Sequence, residues 1–250
     1  GFHISNLIFH ILNCILIFVF VGLLLKDRRI AFASALLFAV HPLNAEAVSF
    51  ISARVDSIPC VFFLSALILF LRCNSPRKIS LYLLSLICFF LSLLTKEMAI
   101  TLPLVLILTD YLFLSRQDIK KVKNNFWRLH LGFFIVAATY LAIRSYTVGW
   151  SFLNESSDLG INFYSGTTAF WRLFTVMKII AFYLGLFFFP YNLNVNHAFL
   201  PAISLFDPIV ILGIILIVLC MFLAIKTRNR YPILTFSILW FFITILPVSN

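Results

Sequence analysis

The sequence predicts an all-α integral membrane protein, a polytopic helical bundle. Of its 250 residues, 62% are hydrophobic and only 11% are charged, whereas a soluble domain averages about 45–50% apolar and about 25% charged residues. The apolar residues form long continuous runs and do not alternate with polar ones. This pattern indicates membrane helices and argues against the strands of a membrane barrel.

The basic residues are concentrated in short linkers between the apolar runs. Most of the 19 Lys and Arg residues fall at 26–29, 72–78, 116–128 and 226–230. Lys and Arg beside membrane helices are typical of cytoplasmic loops, so we expect all of these linkers in the cytoplasm. This pattern accounts for the net charge of +10, and nucleic-acid binding is not expected.

The apolar runs and the breaks between them predict the helices in order. The expected helices cover about 4–25, 30–40, 44–71, 80–94, 98–115, 129–145, 209–225 and 233–246. The second ends at His41-Pro42, because proline forbids simple continuation. The third is longer than the roughly 20 residues that a span needs, so its first turns are expected at the outer interface.

The segment 171–189 poses a topological problem. It is apolar and nearly long enough to span, but a single crossing there would place the basic linker 226–230 on the outer side. The charge rule therefore favours a re-entrant or interfacial segment, and a crossing stays open. The polar segments at about 146–168 and 190–208 are expected to be outer loops.

A polar stripe marks the first half of the first helix. At 100° per residue, its members lie within about 80° of arc. They are His3, Asn6, His10 and Asn13. Hydrogen bonding between packed helices explains such a stripe, and so does the lining of a site. Both interpretations stay open for His10, whereas packing is favoured for the deeper Asn13.

Ionisable residues gather at the predicted outer ends of the helices. We take as candidates His41, Glu46, Arg54, Asp56, Lys96, Glu97 and Arg172. Charges beside apolar sequence are costly and usually face a cavity, a partner or a substrate. The alternatives are a structural ion pair around Arg54 and, for Lys96, an ammonium that reaches the lipid headgroups.

The chemistry of these candidates suits a lipid-linked sugar phosphate. Cations at the level of the headgroups attract a phosphate, and carboxylates beside them suit hydroxyl recognition and proton transfer. A polyprenyl-phosphate sugar donor would use both. The cysteines form no CxxC or Cys/His pair typical of a zinc site, so we predict no metal and no certain cofactor apart from that donor substrate.

Several motifs make the chain resemble the transmembrane-and-tetratricopeptide-repeat O-mannosyltransferase family. The motifs are HPLNAEAV at 41–48, RVD at 54–56, TKEMAITLP at 95–103 and LTDY at 108–111. The start of the chain at 1–3 with Asn6 and His10, Arg172 with Pro190 and Leu193, and LPVSN at 246–250 also resemble this family in order. The family is similar to the C-type glycosyltransferases, which use lipid-phosphate sugars on the lumenal or periplasmic side.

The resemblance implies transfer of a sugar, expected to be mannose, from a polyprenyl- or dolichyl-phosphate donor to Ser or Thr of a protein. The membrane would be a bacterial inner membrane or the endoplasmic reticulum. Arg54 and Lys96 would contact the donor phosphate, and the carboxylates of Glu46, Asp56 and Glu97 would position them or the sugar. His41 and His10 would line the cavity.

The resemblance also implies that the chain is a fragment. The superfamily's catalytic acidic residue lies in a first outer loop that would precede this chain, and a repeat domain would follow it. No general base is therefore assigned here. One alternative is a related transferase acting on a glycolipid or polysaccharide, and another is a transporter or a non-catalytic scaffold. A transporter predicts ionisable residues through the full depth of several helices, whereas here they concentrate at the outer end.

Overall fold

A computed structural model describes residues 2–50, 54–73, 78–148, 169–191, 193, 204 and 206–248. All regular elements of this described part are helical, which confirms the all-α prediction. The α-helices are α1 (Phe2–Leu25), α2 (Arg28–Val40), α3 (Ala45–Ser49), α4 (Arg54–Arg72), α5 (Ile79–Thr95), α6 (Leu102–Thr109), α7 (Ile119–Asn125), α8 (Leu131–Val148), α9 (Ala169–Phe188), α10 (Pro208–Thr227) and α11 (Pro232–Ile245).

Five helical stretches are long and apolar enough to cross a membrane. They are Phe2–Leu25, Arg54–Arg72, Glu97–Leu114, Ile119–Thr147 and Pro208–Thr227. A further stretch, α2 with Pro42–Ser49, passes the same criterion but bends by 56° at its break. The apolar helices Ile79–Thr95, Leu173–Phe188 and Pro232–Ile245 are shorter. The protein is therefore an integral membrane protein of several helices.

The first of two compact units, Gly1–Tyr140, is built on helical hairpins. Helix α1 packs against α2 and α4, and α4 packs against α5. Two serines of α5 join it to α4, because Ser85 donates to the Ala66 carbonyl at 2.7 Å and Ser92 donates to the Pro59 carbonyl at 2.9 Å. Such bonds between membrane helices contribute about 0.6 kcal/mol each on average.

Three members of the polar stripe of α1, Asn6, His10 and Asn13, face this helical packing, whereas His3 is exposed. Asn6 and Asn13 are buried, and each donates its amide to a backbone carbonyl across the interface. Asn6 reaches Phe50 at 2.8 Å and Asn13 reaches Ser57 at 3.0 Å. The packing interpretation of Asn13 is therefore the one that the structure supports.

The prediction of one helix over 44–71 is wrong. A 3₁₀ turn at Pro42–Asn44 leads into the short α3, which ends where Phe50 adopts an extended backbone with φ −86° and ψ 131°. The next helix, α4, begins at Arg54. The Phe50 carbonyl accepts the Asn6 amide, so part of the helical hydrogen bonding lost at the break is replaced by a side chain 44 residues away.

The predicted extent of the basic linker 116–128 is also wrong, because residues 119–128 are helical. The carboxylate of Asp118 accepts the backbone N–H groups of Lys120 and Lys121 at 2.9 and 3.3 Å, which caps the new helix. The turn before it uses positive φ at Arg116 and Gln117. Helix α8 therefore begins as an extension of α7 through a π turn at Phe126–His130, and the expected start at 129 lies inside the helix.

The predicted helix over 98–115 contains three different helical geometries. It begins as a 3₁₀ segment at Glu97–Thr101, continues as α6 and ends in a π turn at Asp110–Leu114. Pro103 lies in the first turn of α6. A backbone N–H at this position has no partner within the helix, so the missing N–H of proline costs no helical hydrogen bond.

The second unit, Leu141–Asn250, contains α9, α10 and α11. Phe174 and Val210 form a small buried cluster with Met177 and Ile214, which joins α9 to α10. The segment predicted at 171–189 is one continuous helix, and whether it crosses the membrane stays a prediction. The predicted outer loops at 146–168 and 190–208 fall mostly outside the described residues.

Candidate functional site

Several chain segments converge at one end of the first unit. The beginning of α1 contacts the beginning of α4, since the Arg54 guanidinium carbon lies 4.8 Å from the centroid of the Phe2 ring. The end of α5 also meets α4, through an ion pair between Lys96 and Asp56. We call this place the ionic end. Because the helices alternate in direction, the linkers at 26–29 and 115–118, the end of α4 at Arg72 and the start of α5 at Ile79 lie at the opposite end.

A hollow opens at the ionic end beside the first turns of α4. It has a volume of about 440 Å³, and the described residues that line it are Arg54, Val55, Ile58 and Thr95. Arg54 brings the positive charge to this lining, and Val55 and Ile58 bring apolar surface. A hollow with one cation on an apolar wall suits a ligand that combines an anionic group with a hydrocarbon chain.

The ion pair between Asp56 and Lys96 stands directly beside residues of this lining. The Asp56 side chain is 61% exposed and the Lys96 side chain is 28% exposed. An ion pair this open to solvent stabilises a fold by only about 0–1 kcal/mol. The pair therefore adds little stability, and it holds the Lys96 ammonium beside Asp56 in the first turn of α4.

The other predicted residues of the α2–α4 connection have varied positions. His41 caps the 3₁₀ turn, because its Nδ1 accepts the backbone N–H of Leu43 at 3.3 Å. Glu46 is exposed on α3. Glu97 is exposed at the start of the 3₁₀ segment that follows Lys96. All three belong to segments of the ionic end, and none is among the described residues that line the hollow.

His10 lies between α1 and α2. It is 8% exposed, its ring stacks on Phe38 with centroids 5.5 Å apart, and its Nε2 lies 3.3 Å from the carbonyl of Ala39. The structure thus gives His10 a packing position, and its predicted role in the lining of the cavity is not supported by any described contact with the hollow. Arg172 belongs to the first turns of α9 in the second unit, and its side chain lies outside the described part.

A buried polar cluster at the opposite end of the first unit was not predicted as a cluster. The Asp110 carboxylate accepts the Ser115 hydroxyl at 2.8 Å and the Asn125 amide at 3.2 Å, and it lies 2.9 Å from Nε2 of His130. Asp110 and His130 are both fully buried. The sequence signal for this cluster is an acid, Asp110, inside an apolar run, and this signal does not identify the partners of the carboxylate.

Comparisons with known proteins agree with the family that the sequence motifs indicate. Residues 2–150, more than half of the chain, match the family described as dolichyl-phosphate-mannose-protein mannosyltransferase. The protein O-mannosyl-transferase F38B6.6 of Caenorhabditis elegans is 26% identical over the whole chain, which covers 35% of that relative.

Two human relatives match shorter parts. The protein O-mannosyl-transferase TMTC1 of Homo sapiens is 35% identical over 48% of the chain and 15% of the relative. TMTC2 of Homo sapiens is 31% identical over 51% of the chain and 16% of the relative. The chain thus spans about a third or less of these proteins, and no solved structure matches it.

The match over residues 2–150 includes the whole ionic end and agrees with the resemblance carried by the motifs at 41–48, 54–56 and 95–103. The chain belongs to the dolichyl-phosphate-mannose-protein mannosyltransferase family.

Proposed function

We propose that this chain forms part of a membrane glycosyltransferase that moves mannose from a polyprenyl- or dolichyl-phosphate donor to Ser or Thr of a protein. The observation that carries the proposal is the placement of Arg54 and Lys96 at one end of the same unit, beside a hollow with an apolar wall. Membership of the family supports the reaction class.

The leaving group explains why cations are needed here. When an acceptor hydroxyl attacks the sugar, the bond to the donor phosphate breaks and negative charge builds on that phosphate. Fixed cations beside it lower the barrier, and removal of one such stabilising group typically costs about 2.7–4 kcal/mol of the transition-state energy. Arg54 and Lys96 take this role in the proposal.

The remaining residues have supporting roles in the proposal. Asp56 positions Lys96 through their ion pair. Glu46 and Glu97 are exposed at the same end, and in the proposal they contact the sugar or position the cations. His41 caps the 3₁₀ turn that leads into α3, the helix that carries Glu46. The general base is unassigned, and Arg172 stays a candidate from the sequence.

The ionic end would face the lumen or periplasm. The support is the position of the basic linkers, which lie at the opposite end of the first unit, because basic linkers are typical of the cytoplasmic side. The membrane is proposed to be the endoplasmic reticulum membrane or a bacterial inner membrane, with the bilayer, a lipid-linked donor and a protein acceptor as partners.

The test is transfer by the full-length protein in nanodiscs, with labelled polyprenyl-phosphate mannose and peptides that contain Ser and Thr. We expect Arg54→Ala to lower kcat/KM by about 100-fold or more and Arg54→Lys to restore part of the rate. Arg72→Ala is the matched control, because Arg72 is at the far end of the same helix, and its rate should stay within about twofold of the unmodified protein.

Two results would contradict the proposal. Normal transfer by a correctly inserted Arg54→Ala protein would remove Arg54 from the donor site. Transfer of mannose to a glycolipid or polysaccharide, with peptides left unmodified, would show that the acceptor is not a protein.

A further inference from the structure

The helix that follows the Asp118 cap carries a basic surface with one aromatic side chain. At 100° per residue, Lys120, Lys123 and Trp127 fall within about 60° of arc, and all three are exposed, Trp127 to 68%. Exposed Lys121 and Arg128 flank them. We call this surface the α7 basic face.

The buried Asp110 cluster holds the α7 basic face outward. Asn125 is on the other side of the same helix and donates to both Asp110 carboxylate oxygens at 3.2 Å. His130, one turn later, lies 2.9 Å from the same carboxylate. Because these contacts fix the helix against the end of α6, the lysines and Trp127 are directed away from the unit.

The length of the helix sets the level of this face in the membrane. The helical stretch Ile119–Thr147 has 29 residues, which at 1.5 Å per residue is about 44 Å. The hydrocarbon core is about 30 Å thick, and the bilayer with its headgroups is about 40–45 Å thick. We therefore expect the first turns of this stretch at headgroup depth, where Trp side chains are favoured.

The charge at this depth is almost all of one sign. The nearby carboxylate of Asp118 is engaged as a helix cap by two backbone N–H groups, and its other oxygen lies 3.9 Å from the Lys121 ammonium. Lys120 and Lys123 are not ion-paired with any described acid. A phosphate group that carries net negative charge complements such a surface, and each cation near it contributes about 1 kcal/mol.

We propose that the α7 basic face binds the headgroup of an anionic phospholipid in the leaflet at this end of the bundle. The lysines contact the headgroup phosphate, and the indole of Trp127 packs beside the upper part of the acyl chains. This site is separate from the ionic end and does not depend on the proposed transferase activity.

Native mass spectrometry of the full-length protein in detergent tests the proposal. The protein is titrated with phosphatidylglycerol and, separately, with phosphatidylcholine. We expect Lys120→Gln/Lys121→Gln/Lys123→Gln to weaken the first phosphatidylglycerol-binding step by at least about tenfold, with phosphatidylcholine binding unchanged. Trp127→Ala should weaken binding of both lipids by a smaller factor.

The matched control removes equal charge from the first linker, which lies at the same end of the unit. In Lys26→Gln/Arg28→Gln/Arg29→Gln, three exposed cations are neutralised, and the first binding step should change less than about twofold. Equal weakening by both triple variants would show that only general charge attracts the lipid and would overturn the proposal.

The unmodified protein provides a second measurement if the triple variant does not fold. Raising the salt from about 0.1 M to about 1 M shortens the screening length from about 10 Å to about 3 Å, so phosphatidylglycerol binding should weaken and phosphatidylcholine binding should not. Equal affinity for the two lipids at low salt would overturn the proposal. An acidic surface of a partner protein would then be the expected ligand of the α7 basic face.

Discussion

Lys96 follows α5 directly and pairs with Asp56 at the start of α4. The two residues are 40 positions apart in the sequence, and the pair holds the ammonium near the hollow that Arg54 lines. Because both side chains are partly exposed, removal of the pair costs little stability. The loss of a correctly placed cation is expected to matter much more for transfer of the sugar.

Substitution of Asp56 separates these two effects. In Asp56→Asn, the ammonium of Lys96 loses its fixed partner, and we expect kcat/KM to fall by about tenfold or more. The free energy of unfolding should change by less than about 1 kcal/mol. Asp56→Glu should recover part of the activity. A stable Asp56→Asn protein with full activity would exclude a positioning role for this carboxylate.

Asp207 is the acid at the start of α10. Its carboxylate accepts the backbone N–H of Ile209 at 2.9 Å and the Lys178 ammonium at 3.2 Å. The hydrogen bond from Ile209, with the contact to Lys178, lowers the pKa of Asp207 below its ordinary value. A carboxyl group with a lowered pKa in the folded protein adds stability above its unfolded pKa of about 3.9, and this stability is lost as the pH falls through the folded value.

The acid dependence of unfolding should therefore include a contribution from Asp207. We expect Asp207→Asn to be less stable than the unmodified protein at pH near 7, with a difference that shrinks as the pH falls below about 4. Because Asn also caps helices, the difference in stability between the two proteins reports the effect of the charge on Asp207. Thermal unfolding of both proteins in detergent at several pH values measures it, and a difference independent of pH would contradict the assignment.

At the scale of an element, α10 approaches α9 most closely at Gly213. A Cβ atom added to Gly213 would lie only 2.2 Å from the backbone carbonyl oxygen of Met177. A backbone group cannot rotate away as a side chain can, so the two helices would have to separate. The buried contact of Phe174 with Val210 lies at the same crossing and would be disturbed.

Two glycine-to-alanine changes compare a crowded helix position with an open one. Gly213→Ala is expected to destabilise the protein by about 1–3 kcal/mol through overpacking. Gly185→Ala, in α9, places its Cβ where no described atom lies within 4 Å, and it should stabilise the helix by about 0.5–1 kcal/mol. Unfolding in mixed detergent measures both, and equal effects would contradict the close packing of α9 on α10.

At the scale of the first unit, the basic linkers are separated from the ionic end, which carries acids and cations together. Glu46, Asp56 and Glu97 belong to the ionic end, together with Arg54 and Lys96. The opposite end carries the basic linkers and the Asp110 cluster. Since Lys and Arg clusters are retained on the cytoplasmic side, this separation predicts one orientation in the membrane.

Labelling of single cysteines tests that orientation in a cysteine-free version of the full-length protein. Ser49→Cys, exposed on α3, should react with a membrane-impermeant maleimide from the non-cytoplasmic side. Asn124→Cys, exposed on α7, should react only when the cytoplasmic side is opened. Labelling of both from the same side would contradict the predicted orientation and the proposed side of the reaction.

The sequence by itself determined the class of this protein and the approximate position of most helices. Continuous apolar runs can be satisfied only by helices in a bilayer, so composition and run length were sufficient to predict an all-α membrane bundle. The motifs at 41–48, 54–56 and 95–103 also pointed to the family that the match over residues 2–150 shows.

Only the tertiary structure decided where helices break and which charges meet. No proline or glycine between 44 and 58 marks the break at Phe50, and its carbonyl is satisfied by Asn6 from another helix. The pairs of Asp56 with Lys96 and of Asp110 with His130 join residues that are 40 and 20 positions apart. A periodic pattern describes one helix face at a time, whereas these contacts depend on how several helices pack together.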